Sequence, residues 1–225
     1  MGITLEQVVP WGRCLAEYIS MFALSQADLQ KRILDCGGGP ASFTAEANAL
    51  GYSVTACDPI YAFSAAAIAP RIDAARDLIM PQVRDKAEAY IWQSIADPDG
   101  LETVRMDAMQ RFLADLPTGK LAGRYIEGTV LDLPFADDQF DLALSSHFLL
   151  AYSKQLGRDF HLQAMAELCR VAREVRIFPL LTVSGETSPW LDEIMTQLAA
   201  FGRQAVVATV EYEFQRGGNQ MLKIT

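Results

Sequence analysis

Histidine occurs only twice in this 225-residue chain, at His147 and His161, and cysteine only four times, at Cys14, Cys36, Cys57 and Cys169. The cysteines form no CxxC and no paired spacing, and two histidines are too few to complete a site around them, which argues against a metal centre. They read instead as small core side chains kept reduced. No lysine-arginine run interrupts a net charge of −9. That balance argues against broad electrostatic binding to nucleic acid or to an anionic membrane. No apolar run approaches the ~18 residues of a membrane span, and the N-terminus lacks the order of a secretory signal. A cytoplasmic location follows as the expectation. Repeats and low-complexity tracts are absent too. What is present, 51% hydrophobic and 21% charged residues, suits one sizeable core, so residues 1–225 are expected to form a single domain.

The most informative stretch is Arg32-Ile33-Leu34-Asp35-Cys36-Gly37-Gly38-Gly39-Pro40-Ala41-Ser42-Phe43. It reads as a buried strand, a glycine turn and the start of a helix. Glycines are needed where backbone takes positive φ or must approach a ligand closely. A turn at the carboxyl end of a first parallel strand is where open α/β sheets bind nucleotide-like ligands. A second apolar run, Ser53 to Cys57, ends on Asp58-Pro59, and an acid at that strand tip can accept both hydroxyls of a ribose.

The remaining pattern alternates. Helical spacing is expected over residues 4–30, with Ser25 as an N-cap, and over about 41–50, closed by Gly51. About sixty residues then separate Asp58 from the third strand, more than one crossover helix requires. Residues 61–122 are therefore expected to be a helical insertion, with helices at 64–80, 82–96 and 99–115 divided by Pro70, Pro81, Pro98 and Pro117. Further strands are expected at 123–130, 140–144, 175–181, 205–214 and 220–224, with helices at 156–172 and 188–201. The polar glycine-containing link Arg216-Gly217-Gly218-Asn219 predicts a terminal hairpin. The fold class is α/β: a doubly wound, seven-stranded, mostly parallel sheet with an antiparallel C-terminal strand.

In these residues the chain resembles the class I S-adenosylmethionine-dependent methyltransferase family, whose Rossmann-like methyltransferase fold has this strand plan. The first motif is matched by Asp35, Gly37 and Gly39, with Ala41 where a third glycine is usual. The second-strand acid is matched by Asp58, and a later run by Leu133-Pro134-Phe135 through Phe140-Asp141. The likeness covers roughly 32–60 and 123–225 and leaves the insertion outside. It implies an enzyme that uses S-adenosylmethionine as cofactor and transfers a methyl group to an acceptor.

By that resemblance Asp35 and Gly37, Gly38 and Gly39 hold the methionine end, Asp58 with Pro59 the ribose, and Thr129 with Val130 the adenine. Thr129 stands where many members carry an aspartate, with Asp132 three residues on. Ser145 and Ser146 approach the cofactor. His147, after the fourth strand, is the candidate general base, while His161 reads as structural. Tyr18 and Arg216 are the candidate acceptor-binding residues, Arg216 because its hairpin should lie at the ligand-binding edge. Phe22, Tyr61, Phe63, Tyr90 and Trp92 could line an apolar pocket or simply pack. Ser145-Ser146-His147-Phe148 replaces the signature common for amino groups on bases or protein side chains, which favours a small-molecule acceptor over nucleic acid. No membrane partner is expected, and a homo-oligomer is left open. The alternative is a catalytically silent member that binds cofactor or uses the insertion as a protein-interaction surface. A nicotinamide-dependent enzyme fits less well, since Gly37-x-Gly39-x-x-Ser42 lacks the final glycine or alanine.

Overall fold

The computed structural model describes residues 2–225. Seven strands form one sheet in the order β3-β2-β1-β4-β5-β7-β6: β1 (Arg32–Cys36), β2 (Ser53–Cys57), β3 (Tyr125–Ile126), β4 (Phe140–Ser146), β5 (Ala172–Phe178), β6 (Ala205–Thr209) and β7 (Gln220–Ile224). β1 pairs parallel with β2 and β4, and β4 parallel with β5. β7 runs antiparallel between β5 and β6. The seven strands, the mostly parallel pairing and the reversed last strand are those the sequence predicts.

Strand periodicity builds the two faces. Ile33, Leu142 and Leu144 point into one core, together with Phe43 and Ala47 of α3 (Phe43–Ala49) and Leu15, Tyr18 and Met21 of α1 (Leu15–Met21). Leu34, Ala143 and Ile177 point into the other, against α7 (Arg158–Val171) and α8 (Leu191–Ala200). Each fully buried leucine or phenylalanine contributes about 1.5–3 kcal/mol relative to exposure. His161 belongs to this packing: it is buried, with Nε2 3.0 Å from the Leu149 carbonyl. Among the described residues no helix is long and apolar enough to cross a membrane.

Four local expectations are corrected. Residues 3–13 are not helical; Pro10 and Gly12 prevent it, and a Cβ on Gly12 would lie 2.1 Å from the Pro40 carbonyl. The segment instead runs as a strap. Its Gly2 N–H donates to the Ser184 carbonyl at 2.9 Å, and Gln155 donates to the Leu5 carbonyl at 2.6 Å. Helix α1 and the short α2 (Gln26–Leu29) follow, with Ser25 capping α2 by accepting the Asp28 N–H.

The insertion holds two long helices rather than three. In α4 (Ala65–Asp85) Pro70 and Pro81 lie inside the helix, and Pro117 lies inside α5 (Pro98–Leu121). An internal proline costs ~3 kcal/mol, but Ile68, Ile72, Ile79 and Val83 keep one buried stripe running through both proline turns of α4. Only Pro98 behaves as punctuation, at the first position of α5 after the Asp97 cap. The third strand shrinks to Tyr125 and Ile126, which pair in parallel with Ala56 and Cys57 at the end of β2. The helix expected at 156–172 is divided at Gly157 into α6 (Ser153–Leu156) and α7, and β5 starts directly at Ala172.

Candidate active site

The glycine turn leaves β1 at the carboxyl edge of the sheet. Gly37 and Gly39 take φ of +69° and +56°. A Cβ on Gly37 would lie 2.4 Å from the Phe148 ring, whereas one on Gly39 would meet nothing within 4 Å. Gly37 therefore serves packing as well as conformation, and Gly39 leaves its backbone open to the cavity beside it. Gly37→Ala is expected to lower stability by ~1–3 kcal/mol through left-handed strain and the ring contact; a urea midpoint equal to that of the unmodified protein would contradict this.

The turn is held from both sides. Its Gly37 N–H donates to the Cys57 carbonyl at 2.9 Å, and the Tyr61 hydroxyl donates to the Gly39 carbonyl at 2.8 Å. Asp58 at the tip of β2 accepts the Gly39 N–H at 3.0 Å on Oδ2 and the Ile60 N–H at 2.8 Å on Oδ1. Burial pushes the pKa of Asp58 up against the pull of those two donors. Each carboxylate oxygen keeps a further lone pair for a ligand hydroxyl.

Asp35 lies beneath the turn, 1% exposed, and does not line the cavity. Its Oδ1 accepts the Tyr18 hydroxyl at 3.0 Å and its Oδ2 has no partner. Burial lifts its pKa to about 7, with the charge of Asp58 adding to the rise. Tyr18 stacks on Phe43 with centroids 4.2 Å apart and shows one edge to the cavity. Ala41 is buried in the first core cluster, so its methyl group does not crowd the turn's open side.

At the end of β4, Ser146 and His147 line the cavity, while Ser145 is buried behind them with an unpaired Oγ. His147 has φ +50°, donates its N–H to the Phe178 carbonyl at 2.6 Å, and sets Nδ1 3.1 Å from the Ser146 Oγ. Its Nε2 makes no hydrogen bond among the described residues. Burial, and then the charges of Arg13 and Arg105, hold its pKa well below the ordinary value, so the ring is neutral at physiological pH.

Thr129 and Pro59 also reach the cavity, whereas Val130 packs into the second core. Asp132 does not reach it: its N–H closes a turn on the Thr129 carbonyl at 3.1 Å. Arg216 is likewise not brought to the site. Its hairpin does sit at the expected edge, but the guanidinium turns outward to the Glu88 carbonyl at 3.3 Å, and neighbouring Gln215 faces the cavity instead. Of the aromatic candidates only Tyr18 lines the space; Phe22, Tyr61 and Tyr90 are core.

The residue that sequence reasoning misses is Arg13. It lines the cavity, donates to the Trp11 carbonyl at 3.1 Å, and has no ion pair among the described residues; its buried Nε is unpartnered. The neighbouring carboxylate, Glu17, is committed elsewhere. Arg105 of the insertion grips it with two bonds of 2.6 and 2.7 Å, and Tyr212 donates to it at 3.0 Å. No local pattern flags Arg13, since the strap that carries it looks helical in sequence.

These groups surround a cavity of about 800 Å³, towards the upper end of the ~300–1,000 Å³ of ligand pockets. A methyltransferase-domain family model matches residues 89–175. An uncharacterized protein of Methanocaldococcus jannaschii is 34% identical over 223 residues, 99% of this chain and 98% of that protein. The mitomycin 7-O-methyltransferase structure aligns at TM-score 0.48 and 16% identity, over 93% of this chain and 53% of its own, so this chain spans about half its length. The 1,6-didemethyltoxoflavin-N1-methyltransferase of Burkholderia thailandensis aligns at TM-score 0.46 and 16% identity, covering 93% and 74%. A methyltransferase from Aquifex aeolicus aligns at 0.44 and 13%, covering 92% and 90%. The matched model begins past the glycine turn and within the insertion, while the full-length relative spans both halves; this chain belongs to one family with the M. jannaschii protein, and its residues 89–175 match the methyltransferase domain.

Proposed function

We propose that the cavity binds S-adenosylmethionine and that the protein transfers its methyl group to a small-molecule acceptor. The observation that carries this reading is Asp58, a carboxylate tied by one oxygen to the Gly39 N–H and facing the same cavity as the open side of the turn. The residues present fit the group. Gly39 leaves room that a side chain would fill, Asp58 can accept two hydroxyls, and Arg13 is a cation without a carboxylate partner. The backbone of Gly37 to Gly39 and Arg13 would hold the methionine end, Asp58 and Pro59 the ribose, and Thr129 the adenine side. Asp35 and Ser145 support this arrangement from behind, and Val130 supports it from the core.

When bound, the sulfonium supplies an electrophilic methyl group. The protein's part is alignment and exclusion of water. His147 is neutral, oriented by Ser146, and free at Nε2, so it can take the proton of an acceptor hydroxyl or amine as the new bond forms.

Transfer of labelled methyl from S-adenosylmethionine to a panel of hydroxylated and amino small molecules tests the reading. Turnover with any of them supports it, and firm cofactor binding with no turnover across the panel would favour the silent alternative. His147→Gln is expected to lower kcat ~10²–10⁴-fold, the usual contribution of a general base, with cofactor affinity unchanged. Because its pKa lies well below the ordinary value, the rate should stay level between ~pH 6 and 8 and fall only in more acidic solution. A rate that climbs steadily through neutrality would contradict that role.

A further inference from the structure

The charged side chains lining the cavity are Arg13, Asp58 and Arg71. The first two have duties toward the cofactor, which leaves Arg71. It lies on the cavity face of α4 in a stripe with Ala74, Ala75, Leu78 and Ile79, spaced as one helix face. The other arginines of α4 are engaged: Arg76 pairs with Asp73, Asp77 and Glu102, and Arg84 with Asp99 and Glu102. Arg71 has no ion pair among the described residues; its guanidinium rests on the Phe63 ring, 3.8 Å from the centroid. Stacking of this kind orients the planar fork while leaving its donors available. In a chain of net charge −9, an arginine kept clear of carboxylates beside a ligand cavity is a feature of the site.

The wall next to it is apolar and uncovered. Leu78 on α4 is 48% exposed and Val8 on the strap 44% exposed, and both line the cavity. Ala74 and Ala75 keep the wall between Arg71 and Leu78 shallow. Exposed apolar surface of this kind at a cavity is the mark of a ligand groove.

We propose that the acceptor is an amphipathic carboxylate, its apolar body laid along Ala74, Ala75, Leu78 and Val8 and its carboxylate paired with Arg71. This rests on the methyl-transfer reading of the same cavity. A single guanidinium matches the charge and planar geometry of one carboxylate.

The test uses the full chain saturated with S-adenosylhomocysteine, titrated calorimetrically with 2-naphthoate and with its neutral methyl ester, a pair sharing one apolar body. The acid is expected to bind about tenfold more tightly, the scale of one exposed charge-assisted contact. Arg71→Gln should bring the two probes to parity while leaving affinity for S-adenosylhomocysteine unchanged. Equal binding of the probes, binding of neither, or a preference that survives in Arg71→Gln and disappears in Arg13→Gln would overturn the assignment. Failure of S-adenosylhomocysteine itself to bind would instead overturn the underlying reading of the cavity, and the assignment with it.

Discussion

Asp58→Ala is expected to weaken binding of S-adenosylhomocysteine by roughly a hundredfold or more, since hydrogen bonds to a charged group are worth about 1.5–3 kcal/mol each. Two effects add. The ligand hydroxyls lose their acceptor, and the Gly39 and Ile60 N–H groups lose theirs. The second loss loosens the turn that has to present its backbone to the ligand. Asp58→Asn separates the two contributions, because its amide oxygen keeps one acceptor while the charge is removed. Its affinity should fall between those of the alanine variant and the unmodified protein. Calorimetric titration of all three proteins reads the effect, and an alanine variant binding within threefold of the unmodified protein would remove Asp58 from the site.

Arg105→Ala should produce the largest loss of stability, about 3–5 kcal/mol, the cost of leaving a buried charge without its partner. Arg105 is fully buried on α5 and closes two bonds on Glu17 of α1, to which Tyr212 near the chain's end also donates. One carboxylate thus ties the N-terminal helix, the insertion and the C-terminal segment together. Burial alone would raise the Glu17 pKa, but Arg105, with help from Arg13, holds it down at about 2. A depressed carboxylate pKa gives stability that is complete above the unfolded value near 4.5 and is lost as pH falls toward 2. Urea midpoints should therefore fall across that acidic window in the unmodified protein and fall less steeply in Glu17→Gln/Arg105→Met, where Asp28, Asp141, Glu167 and Glu174 remain depressed. That double variant should also recover most of the stability lost in Arg105→Ala, because no unpaired charge remains. A single variant as stable as the unmodified protein would contradict the account. Cofactor affinity should drop in Arg105→Ala as well, since a released Glu17 can turn to Arg13 and neutralise it.

Features legible in the sequence were those fixed by short-range chemistry. The buried run before Gly37, the acid ending β2, and the glycine-containing link before β7 each carry their own backbone requirement, and the structure places all three at one edge of the sheet. The rest depended on what packs where. Prolines 70 and 81 carry a local stop signal that the buried stripe of α4 overrides. The strap carries a helical signal, since Val8 keeps a helical spacing with Leu15 and Ile19 of α1, yet Pro10 and the approach of Gly12 to Pro40 keep it out of helix. Arg13 and Arg71 carry no local pattern. Their meaning comes from carboxylates that are engaged elsewhere, which only the three-dimensional arrangement reveals. Arg216 is the converse: its hairpin lies at the expected edge, and its side chain turns the other way.

A crystal structure of the protein with S-adenosylhomocysteine tests the cofactor site most directly. Ribose hydroxyls are expected within hydrogen-bond distance of the Asp58 carboxylate, the ligand's carboxylate on Arg13, and its sulfur on the side of the cavity lined by His147. A ligand bound with its ribose away from Asp58, or crystals that take up none at saturating concentration, would contradict it.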